Sequence, residues 1–150
     1  MSLTLHTGAQ QALHTLLKGR VTALQLMFTG CSAVCPLQGA VFAGLQQQLA
    51  DGPATAQLLS VSIDPLSDDA AALAAWRRRF GAGERWLAAA PPVAQSDWLL
   101  EFVDGRQAGP DRHTPQTYLF DTQGRFAYRL AELAGARDIA NAVRELARRG

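Results

Sequence analysis

The chain has almost no lysine, little cysteine and no long apolar run. Of its 14 basic residues only Lys18 is lysine, and the rest are arginine. With the abundant alanine, that bias reads as a coding preference and carries no functional weight. The formal net charge is +1, which supplies no field for nucleic acid. No stretch reaches the roughly 18 apolar residues of a membrane span. The N-terminus lacks a charged region followed by an apolar one, so no secretory signal is present. Gly81-Ala82-Gly83 lacks the strand–turn–helix setting of a phosphate loop. Repeats, low-complexity tracts and linkers are also missing. The 150 residues are therefore expected to form a single domain over 1–150, large enough to bury a core without disulfide staples.

What is present is an alternation of strand and helix patterns. Val21 to Phe28 reads as a buried strand, and Val34, Leu37, Val41, Leu45 and Leu49 recur at helical spacing. Leu58 to Ile63 is a second strand, stopped by Asp64-Pro65. Ser67 is the expected N-cap of a helix through Phe80. Arg85 to Ala89 reads as a short strand and Gln95 to Val103 as a short helix. Thr117–Phe120 and Arg125–Tyr128 flank Asp121-Thr122-Gln123-Gly124, a hairpin turn. A last helix starts near Arg137, and Leu3 to Arg20 supplies an edge strand and a turn. A parallel pair with crossover helices, then a hairpin and a terminal helix, predicts an α/β, thioredoxin-like fold with a central mixed sheet flanked by helices.

The two cysteines, Cys31 and Cys35, fall between the first buried strand and its helix. The first N–H groups of a helix are unpaired and its positive dipole end lies there, which stabilises a thiolate. Residues at i and i+4 of a helix point the same way, so both sulfurs can meet one ion. Such a pair binds Cu(I) or Zn, or exchanges with a disulfide. A disulfide at this spacing requires distortion of the first turn, because the Cα atoms lie about 6 Å apart. Pro36 suits that turn, where its missing N–H costs little.

The second element is Asp111-Arg112-His113-Thr114-Pro115, just before the Tyr118 strand. In a thioredoxin-like sheet this loop lies beside the cysteine helix. A proline there is commonly cis, so a cis bond is expected before Pro115. A neutral imidazole at His113 is a natural third ligand beside two thiolates. His6 and His14 are read as surface residues. Met27 and Trp76 are read as packing residues, and Trp86 and Trp98 as packing or as a partner surface. Arg77-Arg78-Arg79 is read as a solvated face at a helix C-terminus.

Thr29-Gly30-Cys31-Ser32-Ala33-Val34-Cys35-Pro36, then Ser60 to Pro65, then His113 ahead of Tyr118 to Gly124, together resemble the SCO/SenC family. These are thioredoxin-fold copper proteins serving assembly of the Cu(A) centre of cytochrome c oxidase. The resemblance extends over nearly the whole chain from Val21. It implies that Cys31 and Cys35 supply thiolates and His113 an imidazole to copper, as Cu(I) or Cu(II). It also places Asp64 near the site without making it a ligand. Ser32 stands where the family commonly has proline.

The leading expectation is thus a copper-binding metallochaperone, not a turnover enzyme. Its partner would be cytochrome c oxidase subunit II or another copper or thiol protein. A thiol-disulfide oxidoreductase with Cys31 and Cys35 as its catalytic pair is the alternative, favoured by Thr114-Pro115. A peroxiredoxin-like peroxidase ranks last. Val34-Cys35-Pro36 has the required Ser32, but Phe28 stands where that motif has proline. By the resemblance the native protein is periplasmic, or anchored facing the periplasm through a leader absent from this chain. If the chain is complete, it is cytoplasmic.

Overall fold

The two longest strands are buried along their whole length and lie side by side in the sheet. The computed structural model describes residues 2–30, 35–50, 56–95, 116–130 and 134–149. The strands are β1 (Ser2–Leu5), β2 (Gln10–Ala12), β3 (Val21–Met27), β4 (Ala56–Ser62), β5 (Trp86–Ala90), β6 (Thr117–Phe120) and β7 (Phe126–Arg129). The helices are α1 (Leu13–Leu17), α2 (Cys35–Gln48), α3 (Ala70–Phe80) and α4 (Ala136–Arg149), with a 3-10 turn at Val93–Gln95. Among the described residues the strands form one mixed sheet in the order β2-β1-β5-β4-β3-β6-β7. Every residue of β3 and β4 is buried, as expected where both faces of a parallel pair are covered.

The side chains of β3 alternate between two cores. Val21, Ala23 and Met27 join Phe42 and Leu45 of α2, Leu73 and Trp76 of α3, and Ile139 and Val143 of α4. Leu24 and Leu26 face the other way, with Leu13, Leu16 and Leu17 of α1 and with Tyr118 and Phe120 of β6. Gln25 and Ser60 lie within the buried strands, and Gln25 Nε2 donates to Ser60 Oγ at 2.7 Å. The indole of Trp86 donates to the same hydroxyl at 2.9 Å. Trp86 is wholly buried, so it belongs to the core and not to a partner surface. Met27 is core as expected, and Trp98 lies outside the described residues.

Three local expectations are corrected. The N-cap of α3 is Asp69, whose carboxylate accepts from the Ala72 N–H at 2.9 Å. Ser67 lies further back, in the loop after β4, where its N–H donates to the Asp64 carbonyl. Arg77 is not part of a solvated run. It is half-buried, and its guanidinium donates to the carbonyls of Trp86 at 2.9 Å and Gly83 at 2.7 Å. It thereby ties the end of α3 to the start of β5. Third, the N-terminal segment forms two strands and a short helix in place of one edge strand and a turn. β1 pairs antiparallel with both β2 and β5. The short polar edge β2 leaves no hydrophobic alternation to read.

The sheet directions position the site. β3 pairs parallel with β4, and β4 with β5, so the three strands end at one edge of the sheet. β6 is antiparallel to β3, with Thr117 opposite Gln25. The chain therefore enters β6 at the same edge where it leaves β3.

Candidate metal centre

β3 delivers the chain to this edge at Phe28-Thr29-Gly30, and α2 takes it up again at Cys35. Cys31 lies between these points, outside the described residues, as do His113 and the Thr114–Pro115 bond for which a cis form is expected. For Cys35 the backbone is described, as the first residue of α2. Pro36 follows it in the first turn, where its missing N–H is tolerated. The structure thus bears out the strand–cysteine–helix order at Cys35. Among the described residues, no three His, Cys, Asp or Glu side chains converge as a metal-binding group.

The loop after β4 lies beside this segment. The Ile63 N–H donates to the Met27 carbonyl at 2.8 Å, extending the β3–β4 ladder to the mouth of the site. Asp64 sits in this loop. Its N–H donates to Ser62 Oγ at 2.9 Å, and its carbonyl accepts from the Asp68 N–H at 3.0 Å.

The residue that sequence reading missed is Asp68. Its side chain is buried, with 2% of its surface exposed. One carboxylate oxygen, Oδ2, accepts from the Thr29 N–H at 3.0 Å and from the Ser62 hydroxyl at 2.7 Å. The other, Oδ1, accepts from the Thr29 hydroxyl. Asp68 therefore joins the ends of β3 and β4 to the start of α3. The available signal was the pair Asp68-Asp69 ahead of a helix, where one acid caps and the other is left to a different task.

α2 is seated by close packing. Gly39 lies one turn after Cys35, and a Cβ built on it would sit 2.6 Å from both Cε atoms of the Phe80 ring. The Phe80 ring stacks at a tilt on Trp76, centroids 5.0 Å apart, and Trp76 meets Trp86 edge-on at 5.5 Å. Arg79 stands over the outer face of Phe80 at 5.1 Å, a cation–π contact.

The two remaining histidines belong to the N-terminal segment. His14 is exposed, as expected. His6 is half-buried, with Nδ1 3.4 Å from both the N–H and the carbonyl of Ala88. Burial chiefly, then the Arg77 charge, hold its pKa below the ordinary histidine value, against the backbone bond to Ala88.

The sequence profile of SCO1/SenC matches residues 2–148. The chain belongs to the SCO1/SenC family. Solved structures of other proteins agree. A SCO1/SenC family lipoprotein from Bacillus anthracis is 25% identical with a TM-score of 0.82, the match covering 98% of this chain and 92% of that one. Arabidopsis thaliana ScoI with copper bound gives 0.81 at 15% identity, over 100% and 97%. BsSco is a member of the Sco family of cytochrome c oxidase assembly proteins in which a disulfide switch has been identified. It gives 0.79 at 21% identity, over 95% and 88%. No curated protein matches the chain by sequence. The SCO1/SenC assignment and the sheet described above bear out the thioredoxin-like, mixed-sheet fold read from the sequence.

Proposed function

We propose that this SCO1/SenC protein is a copper metallochaperone for cytochrome c oxidase, taking copper on the thiolates of Cys31 and Cys35 and the imidazole of His113. The observation that carries the reading is the shared sheet edge. Cys31 is four residues beyond Met27, where β3 ends, and His113 is four residues before Thr117, where β6 begins. Four residues of chain reach about 14 Å at most, and adjacent strands lie about 4.8 Å apart. The thiol and imidazole segments are therefore within reach of one ion. Two soft thiolates and one imidazole suit Cu(I), and the imidazole helps hold Cu(II) as well. A site with few ligands at the edge of a fold can pass its ion on by ligand exchange with a thiol protein such as oxidase subunit II.

Among the described residues no helix is long and apolar enough to cross a membrane. The lipoprotein relative from Bacillus anthracis supports a periplasmic or membrane-anchored location.

A thiol-disulfide oxidoreductase is the second reading. It is favoured by Cys35 at the start of α2, where the unpaired N–H groups favour a thiolate, and it does not need His113. Copper titration of the reduced chain separates the two. The copper reading expects one tightly held Cu(I), weakened in His113→Ala. Rapid turnover of a disulfide substrate without tight copper binding would replace it with the second reading.

A further inference from the structure

We propose, resting on the copper reading above, that Asp68 is a positioning residue of the metal centre, fixing the point from which the chain presents Cys31. The carboxylate holds one residue twice, taking both the N–H and the hydroxyl of Thr29. This restrains the backbone and the side-chain rotamer of Thr29 together. The remaining bond, from the Ser62 hydroxyl, is itself directed, because Ser62 Oγ accepts from the Asp64 N–H and so turns its proton toward Asp68. Asp68 is held in turn by its own N–H on the Asp64 carbonyl and by its neighbour Asp69, which caps α3.

Among the described residues the carboxylate takes neutral donors only. Burying a carboxylate this way is a costly means of closing a loop that an apolar side chain would close by packing. What the carboxylate adds is direction at Thr29, two residues before Cys31. Cys35 is anchored independently, by α2 and the Gly39–Phe80 contact. Residues 31–34 thus run between two separately fixed points, and the clamp on Thr29 sets one of them. The separation of the two sulfurs then depends on Asp68 through its hold on Thr29.

The test uses the full chain in its reduced form, with Cu(I) as the probe against a chromophoric chelator. The variants are Asp68→Asn, Thr29→Val, Thr29→Ser and, as a control for loss of stability, Ile139→Val in α4. Each is also read by the ratio of Cys31 to Cys35 alkylation in metal-free protein and by the thiolate-to-Cu(II) charge-transfer band. Asp68→Asn and Thr29→Val are expected to weaken Cu(I) by about tenfold to a hundredfold, to change the alkylation ratio and to shift the band. Thr29→Ser, which keeps the hydroxyl, is expected to restore all three, and Ile139→Val to leave them unchanged. Should Asp68→Asn fail to fold, Thr29→Val decides, since it keeps Asp68 and the local volume. Affinity and alkylation ratio within about twofold of wild type in Thr29→Val, far below the expected loss, would overturn the proposal. A wild-type chain that takes no copper would instead overturn the copper reading, and the alkylation ratio would still decide the role of Asp68.

Discussion

The Phe80 ring of α3 lies directly on Gly39 of α2, leaving no room for a side chain between the two helices. Gly39→Ala therefore forces the ring, and Trp76 behind it, to move. We expect a loss of about 1–3 kcal/mol, the usual cost of overpacking a filled site, together with weaker copper binding because the displaced helix begins at Cys35. Urea unfolding and a Cu(I) titration check this. A variant with wild-type stability would show that the ring yields freely and that the contact does not seat α2.

Ser60 is the common acceptor for two buried donors, Gln25 Nε2 and Trp86 Nε1. Ser60→Ala removes one oxygen but strands both N–H groups where water does not reach. At about 1–3 kcal/mol for each unsatisfied buried donor, we expect a loss of about 2 kcal/mol or more in urea unfolding, well above that of an ordinary surface substitution. A change near zero would mean that both donors find other acceptors.

His6 gives a pH dependence of known sign. Its folded pKa is lowered, first by burial and then by Arg77. The unfolded chain takes up a proton near the ordinary value of about 6.5, while the folded chain resists it. Stability is therefore fully present above that value. It declines as the pH falls from there toward the lower folded value. His6→Gln should flatten this part of the stability–pH curve. Denaturation midpoints between about pH 7 and pH 5 test it, and parallel curves for wild type and variant would rule out the contribution.

Copper uptake should follow the redox state of the cysteines. Thiolate ligation needs Cys31 and Cys35 reduced, so oxidation to a disulfide should abolish binding and reduction should restore it. Cys31→Ser and Cys35→Ser should each lose tight binding even under reducing conditions. Copper stoichiometry of the oxidised and reduced chains decides this, and equal uptake by both would exclude the thiols as ligands.

What could be read from sequence alone was local chemistry. The β6–β7 turn was legible because Asp121 supplies its own acceptor: its side chain takes the N–H groups of Gln123 at 2.9 Å and Arg125 at 3.0 Å. Gly124 provides the positive φ of 78° that the turn requires. β3 and β4 were legible as apolar runs of strand length, and the cysteine motif by its place between a strand and a helix. Tertiary structure decided the rest. Asp64, Ser67, Asp68 and Asp69 are alike to a reader of sequence, each a polar residue ahead of a helix. Only the approach of Thr29 and Ser62, 39 and 6 residues away along the chain, makes Asp68 the buried one. Arg77 likewise looked solvated until β5 brought the Trp86 and Gly83 carbonyls to it. β2 carries no hydrophobic signal because it is a strand only through its pairing with β1. Turns, caps and apolar runs are set by neighbours within a few residues. The partner of a buried polar group, or of an edge strand, is set by segments that meet only when the sheet assembles.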